Sequence, residues 1–322
     1  MSNKKPAEAL VNRETLRRFI EDVQCKGISE VSDKEKVTTA ELFENFLLEL
    51  KKGVGMIITA TDTHINMVIA HHVLMEGDDV KIETEGKIPV TNIKNFLIAL
   101  SRVGGDKKGR NTQLLYPDEE NRIRLSRLGT ETAFSFPTEG EEKLTSLVNV
   151  SDIKHHWSKE RQCVISDSAK TNQEIPWAHK IIVIPSALRE LAKDVSSFVK
   201  QRVSRLKVEG GKAVFALGDA TASRKGGREL QPITRKVLKF EMEVPKKKDD
   251  FSHVKSSSWV DADGKAENIE ANYYHGFYAV VGNIDDSLAT EIHWANILGG
   301  WMMWIHAENA TTELNYMVPY DK

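Results

Sequence analysis

Cysteine is nearly absent: Cys25 and Cys163 are the only two in 322 residues, far apart and outside any CxxC pair. That scarcity excludes a disulfide framework and a cysteine-type zinc site, and it fits a reducing compartment. No apolar run approaches the roughly 20 residues that cross a bilayer, and the opening MSNKKPAEAL has no apolar signal core. Excess charge of either sign is missing too, with 45 Lys plus Arg against 47 Asp plus Glu and a formal net charge of −2. Bulk attraction to nucleic acid is thereby excluded, so any basic surface must be local. The expectation is a soluble intracellular protein without membrane contact, long enough for two ordinary domains.

Catalytic and metal signatures are also lacking. GGDKKGR at 104–110 is not the GxxxxGK[ST] phosphate loop, no GxSxG elbow occurs, and the acidic residues show no paired-carboxylate spacing. His71-His72 and His155-His156 are adjacent pairs, which on a strand point to opposite faces. Neither these nor His64, His293 and His306 fall into HExxH or Cys/His spacing. The reading is a non-enzymatic protein with no cofactor and no metal.

What is present is a repeated unit. Apolar residues at i, i+3, i+4 and i+7 mark one buried helix face in four places. They are Leu16, Phe19, Ile20, Val23; Ile93, Phe96, Leu97, Leu100; Leu188, Leu191, Ala192, Val195; and Phe277, Val280, Val281, Ile284. Period-two stretches follow each, such as FLLEL and GVGMIITATD after the first, or VSRLKVEGG, KAVFALGD and RKVLKFEMEV after the third. The first unit admits a second register, with TTAELFENFLLELKKG as its helix; the earlier helix is preferred because its offsets match the other three. Segments 27–42, 137–179 and 245–268 carry no sustained periodicity and read as an interruption, a long connection and a solvated loop.

The helices share a second feature. Arg13, Arg17 and Arg18 lie off the apolar face of the first, Lys94 and Arg102 off that of the second, with Lys107, Lys108 and Arg110 in the loop beyond. Arg189, Lys193 and Lys200 line one flank of the third, while the fourth is weak, offering only His275. One basic helix is an ordinary solvated helix. Three agreeing in a chain of net negative charge suggest phosphate contact without base reading.

Four segments, together about a third of the chain, are IPSALRELAKDVSSFVKQRVSRLKVEGGKAVFALGDA, YHGFYAVVGNIDDSLATEIHWANILGGWMMWIHAENATTELNYMVPY, GVGMIITATDTHINMV and KIPVTNIKNFLIALSRV. In their order and spacing they resemble the trimeric DNA sliding clamps, the family of proliferating cell nuclear antigen and the T-even phage clamps. The resemblance implies an α+β DNA-clamp fold of two similar domains, 1–136 and 180–322, joined by a connecting segment at 137–179. Each would pair two helix-plus-three-strand units, helices lining a ring and antiparallel sheets outside. It further implies a homotrimer around double-stranded DNA, loaded by a separate ATP-dependent clamp loader and tethering the replicative polymerase. Partner peptides would dock on His64, Ile65, Met67, Tyr316, Met317, Val318 and Pro319, and ring closure would pair ETAFSF with KVLKFEMEV of the next protomer. Extra length and a weakly basic fourth helix favour a divergent clamp of viral type, placed in a prokaryotic, phage-infected cytoplasm. Two other readings stand beside it: a subunit of a heteromeric checkpoint-type clamp, and a virion or scaffolding protein built of repeated α/β units.

Overall fold

In the computed structural model the described residues are 5–31, 37–41, 43–61, 68–104, 109–138, 154–158, 163–168, 171–176, 179–183, 185–186, 202–209, 212–219, 234–239, 242–243, 269–274, 280, 282–297 and 300–318. Helix α1 (Arg13–Gln24) buries Leu16, Phe19, Ile20 and Val23, the face its periodicity predicts. Asn12 caps it, its Oδ1 accepting from the N–H groups of Glu14 at 3.0 Å and Thr15 at 3.2 Å, and it ends at Cys25 in the left-handed region, φ 46°. Helix α2 (Ile93–Val103) buries Ile93, Phe96 and Leu100, and Asn92 caps it by accepting from Asn95 N–H at 2.8 Å. The alternative leading helix does not form, because Phe46–Lys51 is a strand. The third helix lies largely outside the described residues, and the fourth is represented by buried Val280 and Ile284.

Strands are numbered in chain order. One sheet has five: β11 (Ala133–Phe136), β10 (Ile123–Arg127), β9 (Thr112–Tyr116), β1 (Ala7–Val11) and β7 (Val80–Thr84), side by side in that order. A second has nine: β19 (Met242–Glu243), β15 (His179–Val183), β21 (Ala289–Ile297), β22 (Gly300–Glu308), β23 (Thr312–Val318), β6 (Ile69–Met75), β5 (Gly55–Thr61), β4 (Phe46–Lys51) and β8 (Gly86–Val90). A third has four: β18 (Thr234–Lys239), β17 (Lys212–Asp219), β16 (Arg202–Glu209) and β20 (Ile269–Tyr274).

These orders contain a duplication. The run β11-β10-β9-β1-β7 of the first half reappears as β23-β22-β21-β15-β19 in the second, and β8-β4-β5-β6 reappears as β20-β16-β17-β18. The nine-stranded sheet is one five-strand run joined to one four-strand run, and the joint is the antiparallel pair β6 and β23, from Leu74↔Thr312 to Ile69↔Met317. Ala70, His72 and Leu74 meet Leu314, Tyr316 and Val318 there in one continuous core. Phe19 of α1 lies against His72, ring centroids 6.5 Å apart, and His72 stacks edge-on against Tyr316 at 4.5 Å.

Alternation along β22 sends Trp301, Met303 and Ile305 into this core and Trp304 to the opposite face. Trp304 is buried as well, its Nε1–H donating to Asn315 Oδ1 at 3.1 Å. His71 and His72 occupy opposite faces, as consecutive strand residues must.

The structure departs from the sequence reading in three places. Segment 27–42 is not merely an interruption, since β2 (Lys26–Val31) and β3 (Val37–Glu41) form an antiparallel hairpin. Within the 137–179 connection β12 (Lys154–Ser158), β13 (Cys163–Ser168) and β14 (Thr171–Pro176) form a three-stranded antiparallel sheet. None of these strands alternates apolar and polar residues along its length, so a period-two search passes over them. RKVLKFEMEV is two strands, β18 and β19, in different sheets. Its first-half counterpart is the passage from β6 to β7, and the next crossing, from β7 to β8, uses Gly86, where a Cβ would lie 2.6 Å from that of Ala7. The 245–268 segment falls outside the described residues.

Candidate nucleic-acid interface

Helices α1 and α2 touch each other, α1 over β6 of the nine-stranded sheet and α2 over β10 and β11 of the five-stranded sheet. Phe96 of α2 packs edge-on against Phe46 at 6.2 Å and Phe136 at 5.6 Å. The faces turned away from the core expose Arg17 and Arg18 on α1 and Lys94, Asn95, Ile98, Ser101 and Arg102 on α2. Asn12 Nδ2–H donates to the Gly109 carbonyl at 3.1 Å, so the start of α1 meets the loop that leaves α2, with exposed Arg110 alongside. Five of the cations expected from the sequence thus lie on this helix pair, Arg13, Arg17, Arg18, Lys94 and Arg102, with Arg110 in the loop beside it. Lys107, Lys108, Arg189, Lys193 and Lys200 lie outside the described residues.

The two helices differ electrically. Arg17 is held from both sides, its Nε 3.1 Å from Glu21 Oε1 and its Nη1 3.8 Å from Glu14 Oε2. Arg13 pairs with Glu14, and Arg18 acts through its charge on Asp22. Burial, then Asp285 and Glu21, push the Asp22 carboxyl up to about 7, against the pull of Arg18. The formal charges of α1 therefore cancel, whereas α2 carries Lys94 and Arg102 and no carboxylate at all. Sequence reasoning tallied the arginines and missed these partners. The signal was available, since Glu14 and Glu21 stand three residues before and four after Arg17.

The expected peptide groove is positioned by strand register. Thr61 pairs with Ile69 and Ile69 with Met317, so segment 62–67 and the chain beyond Val318 leave the same end of the nine-stranded sheet. His64, Ile65, Met67 and Pro319 lie outside the described residues, and Met317 is half-buried at that end. Tyr316 and Val318 require a correction. Strand β23 runs to Val318 and its alternation turns both residues inward, leaving Tyr316 0% and Val318 2% exposed. The Tyr316 hydroxyl donates to the Asp22 carbonyl at 2.9 Å, which makes it a core strut between the halves and not a groove wall.

No protein-family model matches the chain, and no curated protein matches it in sequence. Solved structures do. The chain is similar to the PCNA2–PCNA3 complex from Sulfolobus tokodaii, with 11% identity, TM-score 0.53 and 98% of each chain covered. It is similar to proliferating cellular nuclear antigen from Entamoeba histolytica, with 8% identity, TM-score 0.54 and 99% of each chain covered. A third is PCNA from Thermococcus kodakaraensis, with 15% identity and TM-score 0.53 over 98% of this chain and 100% of that one. At such identities sequence contributes nothing and the likeness lies in architecture, so what extends from end to end of this chain is the fold of the sliding clamps.

Proposed function

We propose that this chain is a DNA sliding clamp, a non-enzymatic ring that encircles duplex DNA and tethers a polymerase and other DNA-processing partners. The observation that carries the reading is the internal joint between β6 and β23. The duplication gives each of these strands a counterpart, β18 for β6 and β11 for β23, and among the described residues each counterpart ends its own sheet. Pairing β11 of one protomer with β18 of the next repeats the internal joint between molecules. A contact that joins different patches head to tail closes into a ring when its rotation is a simple fraction of a turn.

In such a ring the sheets form the outer wall and α1 and α2 line the hole. Their cations meet phosphates without reading bases, and a contact of that kind permits sliding. Two domains at 1–136 and 180–322, a connection at 137–179 and three identical protomers complete the assembly. A separate ATP-dependent loader would open it inside the cell, and partner peptides would dock where 62–67 and the C-terminal tail emerge together.

The test is retention on DNA after loading. Nicked circles should hold the protein through a salt wash that screens phosphate contacts, while the same DNA linearised should lose it from its ends. Equal loss from both under confirmed loading would sink the topological reading.

A further inference from the structure

Every arginine of α1 answers to a carboxylate on its own helix. Arg17 lies between Glu14 and Glu21, Arg13 is paired with Glu14, and Arg18 faces the charge of Asp22. No such arrangement exists on α2, where Lys94 and Arg102 are exposed on a helix without acidic residues.

We infer that Glu14 and Glu21 set the strength of the grip on duplex DNA, by holding Arg13 and Arg17 along the helix as competitors of the phosphates. The inference rests on the reading above that α1 and α2 face the duplex. Its physical basis is the small energy of such pairs. An exposed arginine–carboxylate pair is weak, so a phosphate can take the guanidinium and return it at little cost. Arg17 has a carboxylate one turn away on each side, so when one phosphate leaves, the side chain is recaptured on the helix before the next arrives. Lys94 and Arg102 supply steady attraction, and α1 adds a contact that is always contested. Strength of attraction and freedom to move are then divided between the two helices. A surface whose cations were all uncontested would bind the backbone more tightly and resist translocation.

The experiment uses the full chain and a short labelled duplex, with binding followed by fluorescence anisotropy across a salt series. Replacing both carboxylates, Glu14→Gln with Glu21→Gln, should tighten binding about three- to tenfold at low salt and steepen the log–log salt slope by about one. Adding Arg17→Gln to that pair should cancel most of the gain, because the freed guanidinium is its source. In parallel, Lys94→Gln with Arg102→Gln should weaken binding. If the α2 substitutions weaken binding but the α1 carboxylate substitutions leave it unchanged, the inference fails and the DNA-facing reading survives. If the α2 substitutions have no effect, the DNA-facing reading fails and takes the inference with it. Thermal melting of each variant separates loss of binding from loss of fold.

Discussion

His72 sits where the two halves of the molecule meet, and its environment decides which nitrogen carries its proton. Nδ1 accepts from Asn315 N–H at 3.2 Å, so the proton is on Nε2, which finds no hydrogen-bond partner among the described residues. The ring instead lies edge-on between Phe19 and Tyr316. Burial, aided by the neighbouring charge of His71, lowers its pKa from 6.5 to about 3. Between those values the unfolded chain binds the proton and the folded chain does not. The His72 contribution is therefore complete above pH 6.5 and is lost as pH falls toward 3, by up to about 1.4 kcal/mol per pH unit. Asp22 has the opposite sign. Its folded pKa of about 7 lies above the usual 3.8, so its contribution is present below pH 3.8 and lost as pH rises through 7. Asp22→Asn should thus be more stable than the parent at pH 8, by about 1–3 kcal/mol, with the gap shrinking toward pH 4. Urea denaturation across that range measures it, and a gap independent of pH would dismiss the assignment. Tyr316→Phe removes the hydroxyl bonded to the Asp22 carbonyl and should cost about 1 kcal/mol at any pH below the tyrosine's own titration.

Among elements, the β4–β5 hairpin depends on two glycines for different reasons. Gly55 has φ 129°, and a Cβ there would lie 2.1 Å from the Leu74 carbonyl oxygen, a backbone atom that cannot step aside. Gly53 has φ 74° with open space around it, so only the backbone conformation resists a side chain. Gly53→Ala should therefore cost about 1–2 kcal/mol, and Gly55→Ala about 3 kcal/mol or more; comparable melting shifts for the two would contradict the close approach at Gly55. The same stretch illustrates what the sequence makes legible. FLLEL, bounded by polar turns, reads correctly as a strand, and α1 and α2 follow from four apolar positions each, because packing on one sheet imposes one face. The hairpin β2–β3 and the sheet β12–β14 have no such imposed face in the sequence and escape a periodicity search. The break inside RKVLKFEMEV escapes it too, since alternation continues across the crossing while the partner strand changes from β17 to β15. At the candidate interface the basic positions of α1 and α2 are legible from helix geometry, but Tyr316 is not. A tail that reads as unburied is held in by β6, a strand some 240 residues away whose identity only the tertiary pairing supplies.

At the scale of the whole molecule, the duplication leaves β11 and β18 as complementary ends, the counterparts of β23 and β6, and the hydrogen bonds of β11 determine how to test whether they meet. Arg127 N–H donates to the Thr132 carbonyl at 3.0 Å, just before β11 begins. Antiparallel ladders alternate, so Phe134 and Phe136, opposite Leu125 and Ile123, turn their N–H groups toward β10. Ala133 and Ser135 then point theirs outward, toward the strand that would join from the next protomer. Proline lacks that N–H and is tolerated on a sheet edge. Ser135→Pro should therefore leave the fold standing while removing one outward donor and blocking close approach of a second edge. The Ser135 hydroxyl bond to Asp118 Oδ2 at 2.9 Å would go as well, an exposed contact whose loss costs about 1 kcal/mol or less. Light scattering coupled to size exclusion should find the parent as a ring and the variant as a folded monomer, with far-UV circular dichroism unchanged. The variant should also fail to be retained on nicked circles while keeping its weak, salt-sensitive affinity for short duplex, since α1 and α2 are untouched. A variant that assembles as the parent does would place the ring contact elsewhere, and β18 would then need another partner for an edge whose counterpart on β6 is closed by β23 inside a single chain.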